Sequence, residues 1–239
     1  MGITALTLAV NVFGAIIQSV CGFGYGPFSM SILPYLRPYH TAVASTNLCG
    51  CSVAFLIAVT NLRHINAKMF MSCSLVAVIT APLTIYFSVG AARGVLMRSL
   101  GAVLILIAIY QMYFSGKLRI KPTFVNGMIA GFISGVLSGL FSMGAPPAAV
   151  YMLAASENKE EFRATLNAQF ALIAIVSSVA RYMRGLIDAE IVTIWLIALP
   201  ALALGYAIGS RIFKKLNSKQ VGIAINVYLV LAGLRMLLL

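Results

Sequence analysis

Long apolar runs, each close to the thickness of a membrane's hydrocarbon layer, recur along the whole chain, separated by short polar or basic stretches. They fall near residues 41–60, 69–89, 98–114, 164–181, 189–209 and 220–238. About 20 apolar residues in a helix cross a hydrocarbon core of about 30 Å, so each run predicts a transmembrane helix. Two apolar segments break the pattern. Gly2 to Leu36 is about 50 Å long as one helix, too long for one ordinary span and too short for two spans with a turn. It contains CGFGYGPFSM (Cys21 to Met30), and GLFSMGAPPAAVY (Gly139 to Tyr151) raises the same difficulty in the second half. No continuous helix accommodates such clusters of glycine and proline. Each therefore predicts a helix that breaks within the membrane and continues as a second, shorter piece.

Overlaying the halves at an offset of 120 places Gly24 on Gly144, Pro27 on Pro147, Asn47 on Asn167 and Val59 on Val179. Further on the register drifts slightly, with Pro82 near Pro200 and Gly90 near Gly209. The polar interruption SGKLRIKPT (Ser115 to Thr123) separates the copies. The expected organisation is a first repeat over 1–116, a linker at 117–122 and a second repeat over 123–239. An internal repeat of this size in a membrane protein points to a transporter built from two related halves. The fold class is all-α and polytopic. Each half is a Gly/Pro-broken helix, folded as a re-entrant hairpin, plus three transmembrane helices.

Composition agrees. Of 239 residues, 61% are hydrophobic and 9% charged, with a mean hydropathy of +0.99. A soluble domain carries about 25% charged residues, so this chain lacks the polar surface of one. The net charge of +12 comes from Lys and Arg spread through short loops. No basic stripe with interleaved aromatics is present, which argues against nucleic-acid binding, whereas basic loops are ordinary at the cytoplasmic ends of membrane helices. The opening MGITALTLAV has no basic n-region and reads as an uncleaved first helix, and Leu6 stands where a myristoylation motif needs Ser or Thr.

The acidic residues are Glu157, Glu160, Glu161, Asp188 and Glu190, all near predicted loops. Proton relays and cation sites within membranes usually need a mid-span carboxylate, so a metal-cation transporter is disfavoured. Intramembrane proteolysis needs an Asp pair, a Ser–His dyad or zinc ligands; two isolated histidines supply none, and the chain does not read as an enzyme. No metal or other cofactor is expected. Cys49, Cys51 and Cys73 read as small buried residues, while Cys21 lies in the first break.

The breaks carry the candidate chemistry. Gly22, Gly24 and Gly26 end the first piece and Pro27 suits the first position of the next; Gly144, Pro146 and Pro147 repeat that grammar. A break leaves backbone N–H groups unpaired in the membrane, and a helix N-terminus carries about half a positive charge. Two such ends facing one cavity make an anion site from backbone alone. Tyr25 and Ser142 lie within the breaks. Asn47 and Asn167 are expected to line the same cavity, with Gln18 and Gln169 as weaker candidates. Cys21 is expected beside the cradle, where bound substrate slows its modification. The same residues also suit packing kinks and interhelical hydrogen bonds; their repetition favours a site. Gly131, Gly135 and Gly139 form a stripe for close helix packing, and Ser134, Ser138 and Ser142 a neighbouring one.

Several stretches together resemble the sulfite exporter TauE/SafE family, also called the toluene-sulfonate uptake permease family. They are GFGYGPFSMSILPYL (Gly22 to Leu36), GFISGVLSGLFSMGAPPAAVYML (Gly131 to Leu153) and EFRATL (Glu161 to Leu166). The Pro200, Gly205, Gly209 and Arg211 pattern and the closing YLVLAGLRML belong with them. The resemblance covers nearly the whole chain. It implies a multi-pass transporter of the cell (inner) membrane whose partners are the lipid bilayer and a small sulfur-containing anion, sulfite or an organosulfonate. The alternatives are an anion channel, or a carrier of another small anionic metabolite. The sequence departs from the family at Tyr25, which replaces a usual glycine, and at Ser142 and Ala145, where glycines are common. These departures alter the pocket.

Charge also bears on topology. If each broken segment returns to its starting side, Arg37, Arg93, Arg98, Arg181, Arg184 and Arg235 share one face, and the other eleven of the 17 Lys and Arg share the opposite one. If each broken segment crosses, the division is nine against eight, which orients nothing. The lopsided count favours hairpins, inverted repeats and both termini outside the cytoplasm.

Overall fold

The computed structural model describes residues 2–88, 90–109 and 123–215, and every regular element among them is helical. The first half comprises α1 (Gly2–Cys21), α2 (Tyr25–Met30), α3 (Leu33–Leu36), α4 (Tyr39–Thr60), a 3₁₀ turn at Leu62–His64, α5 (Ala67–Ser88) and α6 (Arg93–Ile109). The second comprises α7 (Phe124–Phe141), α8 (Ala145–Ala155), α9 (Lys159–Met183) and α10 (Ala189–Lys215). The expected span at 220–238, the linker at 117–122, and Arg235 within the closing motif lie outside the described residues.

Helices α4, α5, α7, α9 and α10 are long and apolar enough to cross a membrane. Their outward faces expose large apolar side chains such as Leu75, Phe132, Ile175 and Ile197. That surface suits lipid rather than water. Two helices run longer than their apolar cores. α9 starts at Lys159 rather than near 164, because the Asn158 side chain accepts a hydrogen bond from the Glu161 amide at 2.8 Å and caps its first turn. α10 continues through Pro200 to Lys215.

Three contacts organise the bundle. α5 packs along α7, α1 along α10, and α4 along α9. The glycine stripe of α7 makes the first contact: Gly131 lies against the Cys73 carbonyl, and Gly139 against Ala81 and Thr84. Gly205 and Gly209 of α10 play the same part against Val12 and Ser19 of α1. In both pairs residue numbers rise together, so the helices run in the same direction. α4 and α9 run antiparallel, with Asn47 beside Ala174 and Asn66 beside Thr165. At the 120-residue offset α1 corresponds to α7, α4 to α9 and α5 to α10. The α5–α7 contact is thus the counterpart of α10–α1, and α4–α9 joins an element to its own counterpart.

At both breaks the chain doubles back. A side chain at Gly14 would lie 2.8 Å from the Tyr25 ring and 3.4 Å from Ser29 Oγ, so α2 lies against α1. Val10 then shares a buried cluster with Met30 and Leu33, roofed by Leu96, Leu100 and Leu104 of α6. In the second half, Gly144 rests on Ser134 and Ser138, while Tyr151 reaches back to Gly127, which places α8 along α7.

Candidate functional site

The two breaks follow one grammar. α1 ends at Cys21; Gly22 (φ +83°) and Gly24 (φ +116°) then take left-handed conformations that favour glycine. The Gly22 amide donates to the Gln18 carbonyl at 2.8 Å. α7 ends at Phe141, and Ser142, the counterpart of Gly22, is left-handed as well (φ +55°). Its amide donates to the Ser138 carbonyl at 3.0 Å, and the Met143 amide to Leu137 at 3.3 Å, which closes the helix end. The prolines sit later than the sequence suggests. Pro27 and Pro147 are the third residues of α2 and α8, not the first. The first three amides of a helix all lack an intrahelical acceptor, so proline is tolerated there too.

These reversals bring the breaks into contact. A methyl group at Gly26 would collide with the Ser142 carbonyl oxygen and lie 3.3 Å from Met143 Cγ, so only glycine permits the approach. Around this contact lies a cavity lined by Gln18, Gly22, Phe23, Gly24, Tyr25, Gly26, Pro27, Ser142, Met143, Ala145 and Phe170. Its free volume of about 10 Å³ holds about one water molecule. Seven of these side chains or backbone positions are ones the sequence singles out. Ala145, where the sequence departs from a common glycine, is an eighth; Phe23, Met143 and Phe170 join them, and the aromatic pair had no polar signal to reveal it.

The carboxamides stand one step behind the wall, each serving the break of the other half. Asn167 donates to the Gly22 carbonyl and to the Arg163 carbonyl, both at 2.8 Å, and accepts from Gln18 Nε2 at 2.9 Å. Asn47 donates to the Ala174 carbonyl at 2.9 Å and to Ser178 Oγ at 2.8 Å. Its oxygen is 3.5 Å from Ser142 Oγ, which donates to the Val43 carbonyl at 3.0 Å. Tyr25, fully buried, lies between Gly14 and Gly50 and donates its hydroxyl to Asn11. The site's departure from glycine at this position is thus accommodated by glycines on α1 and α4. Gly144, Pro146 and Pro147 shape the start of α8 without lining the cavity. Gln169 is buried away from it, donating to Ser134 Oγ at 3.3 Å. Cys21 borders a different cavity, which shares no lining residue with this one.

Two arginines of α9 are buried. Arg181 donates to the carbonyls of Gly139 (2.7 Å) and Ser138 (3.3 Å), and Tyr39 donates to that of Leu140 (3.0 Å). Together they satisfy carbonyls of the buried last turn of α7, where a cation is favoured by the helix dipole. Arg163 has no such role; its Nη2 donates to Ser210 Oγ at 3.0 Å and its guanidinium lies over the Phe213 ring at 4.3 Å.

Comparison with known proteins finds a family model described as "Sulfite exporter TauE/SafE" that matches residues 7–236. A curated relative, the "Probable sulfite/organosulfonate exporter TauE" of Cupriavidus necator, is 24% identical over 216 residues, covering 88% of this chain and 83% of its own. No solved structure matches the chain.

Proposed function

The chain belongs to the sulfite exporter TauE/SafE family, and from that premise we propose that it is a secondary transporter of small sulfur-containing anions, sulfite or organosulfonates, bound where its two breaks meet. The observation that carries the reading is the contact of Gly26 with Ser142 beside a buried cavity. Phe28 is the first residue of α2 whose amide reaches a helical carbonyl, that of Gly24 at 3.1 Å. The amides of Gly24, Tyr25 and Gly26 come before it, and all three residues line the cavity. On the other side Pro146 and Pro147 carry no N–H, which leaves Gly144 and Ala145 as the first donors of α8. The cradle is therefore unequal, richer in donors on the α2 side, while the longer α8 supplies the stronger dipole. Gln18 adds a carboxamide to the wall.

The halves are inverted in this reading. α4 runs parallel to α10, with Ser52 beside Trp195 and Thr60 beside Tyr206, and the short turn after α4 sends α5 back the other way. α7 follows α5 and α1 follows α10, so α1 and α7 run in opposite directions. Their breaks then approach one site from opposite sides of the membrane, as alternating access around a fixed site requires. An oxyanion needs more room than one water, so the Gly26–Ser142 contact opens when substrate enters.

The test is flux of radiolabelled sulfite, sulfate and short organosulfonates into proteoliposomes, with and without proton and sodium gradients. Saturable flux accelerated by substrate on the opposite side is expected for at least one of them. Unitary single-channel currents would replace the carrier by an anion channel, and indifference to every sulfur anion would remove the substrate class.

A further inference from the structure

Beside Cys21, sharing no lining residue with the cavity at the break contact, lies a cavity of about 220 Å³. Its polar wall holds Arg163, Lys159 and Asn158; its apolar wall holds Val20, Leu153 and Phe162. Phe213 closes it with both cations against its ring, Arg163 at 4.3 Å and Lys159 at 5.0 Å from the centroid. Arg163 is only 6% exposed, and its Nε is buried without an acceptor.

A buried guanidinium needs compensating negative charge, or its desolvation is left unopposed. The chain has five side-chain carboxylates, all among the described residues, and none forms an ion pair with Arg163. Glu190 pairs with Arg37, and Glu160 pairs with Lys159. Glu161 is held by Asn66 and by the Glu157 amide, and Asp188 caps the start of α10. Arg181, the other buried arginine, has its Nη2 on the carbonyl end of α7, although its Nη1 too has no acceptor. Arg163 has a serine hydroxyl, an aromatic ring and only the more distant charge of Glu160, one turn earlier and not ion-paired with it, and it faces a cavity.

We propose that this cavity is a second anion site, a vestibule that takes an organic oxyanion with a short apolar tail. The head group lies between Arg163 and Lys159, and the tail lies against Val20, Leu153 and Phe162. Arg163 is one helical turn from Asn167, whose amide holds the Gly22 carbonyl, so the vestibule adjoins the break through a single turn of α9. Binding here stands on the charge accounting alone; passage from here to the break rests on the transport reading.

Cys21 provides a reporter in the vestibule wall. With Cys49, Cys51 and Cys73 changed to alanine in the full chain, Cys21 is labelled in vesicles of purely zwitterionic lipid. The reagents are the anionic 2-sulfonatoethyl methanethiosulfonate and its cationic trimethylammonio analogue. The anionic reagent is expected to react faster by on the order of ten-fold, as a focused positive potential concentrates counter-ions. Butanesulfonate is expected to protect Cys21 more strongly than sulfate does. Arg163→Gln removes both the bias and the protection, and Arg163→Lys restores the bias. Equal rates for the two reagents, unchanged protection in Arg163→Gln, or no labelling by either reagent overturns the site. Protection by anionic lipid in the absence of any soluble anion overturns the soluble ligand in favour of a lipid head group. Because labelling requires no transport, protection without flux defeats the transport reading alone, and flux without protection defeats the vestibule alone.

Discussion

Asn167 places both amide protons on carbonyls, those of Gly22 and Arg163, and accepts from Gln18, so it ties the first break to α9. It therefore acts on the cavity through Gly22 and Gln18, and Asn47 acts beside Ser142 in the other half. Asn167→Leu leaves the Gly22 carbonyl without that donor and frees the Gln18 amide, a loss on the order of 1–3 kcal/mol for a buried partner left unmade. The expected outcome for Asn167→Leu and Asn47→Leu is folded protein in the membrane, a lower melting temperature and no flux. Normal flux in both variants would contradict a role for the amides. The pairing of the two asparagines was legible from their 120-residue spacing. Which break each one serves was not, because the crossing depends on the antiparallel α4–α9 contact. Arg163 escaped notice for a related reason: its counterpart at that offset is Val43, so the repeat gave it no polar partner.

At the scale of elements, helix existence follows apolar run length closely, since every described run forms a helix near its expected place. Boundaries follow local chemistry instead. Asn158 with Glu161 three residues later is a readable cap that extends α9 beyond its apolar part. The short α3 carries no such signal, and its place comes from packing in the cluster beneath α6. The glycine stripe was legible as a close-packing face, but its partner was not. The structure assigns it to α5, and this makes a sharp comparison between two glycines. A methyl at Gly135 meets Thr80 Oγ1 and lies 3.0 Å from the Ala77 carbonyl, whereas Gly94 has nothing within 4 Å. Gly135→Ala is expected to destabilise by about 1–3 kcal/mol through overpacking. Gly94→Ala is expected to leave the melting temperature within a degree or two of the parent, as an unpacked surface change does. Thermal unfolding of both variants in one detergent checks this, and equal melting temperatures would show that the α5–α7 seam is slack.

For the whole molecule the decisive question is which faces the ends of the first hairpin occupy. Alternation of six plain spans would leave the direction of the second half undetermined, because a broken segment can return or cross without changing the apolar pattern. Packing of the first hairpin bears on that direction. α2 lies back along α1, with Tyr25 and Ser29 against Gly14, and Arg37 beyond α3 reaches Glu190 at 2.8 Å at the start of α10. α1 runs parallel to α10, so the N-terminal end of α1 lies toward the same end of the bundle as Arg37. Arg63 follows α4 and lies toward the other. If the bundle sits in the membrane with the richer group of Lys and Arg in the cytoplasm, Arg37 and the beginning of α1 face away from it. Single cysteines at Thr4, Arg37 and Arg63 in a cysteine-free background, labelled by an impermeant maleimide in sealed vesicles of known orientation, test the arrangement. Thr4 and Arg37 are expected to react from one side and Arg63 from the other. Reaction of Thr4 and Arg37 from opposite sides would mean that the first broken segment crosses. The repeats would then be parallel, and the two breaks would no longer approach a shared site from opposite directions.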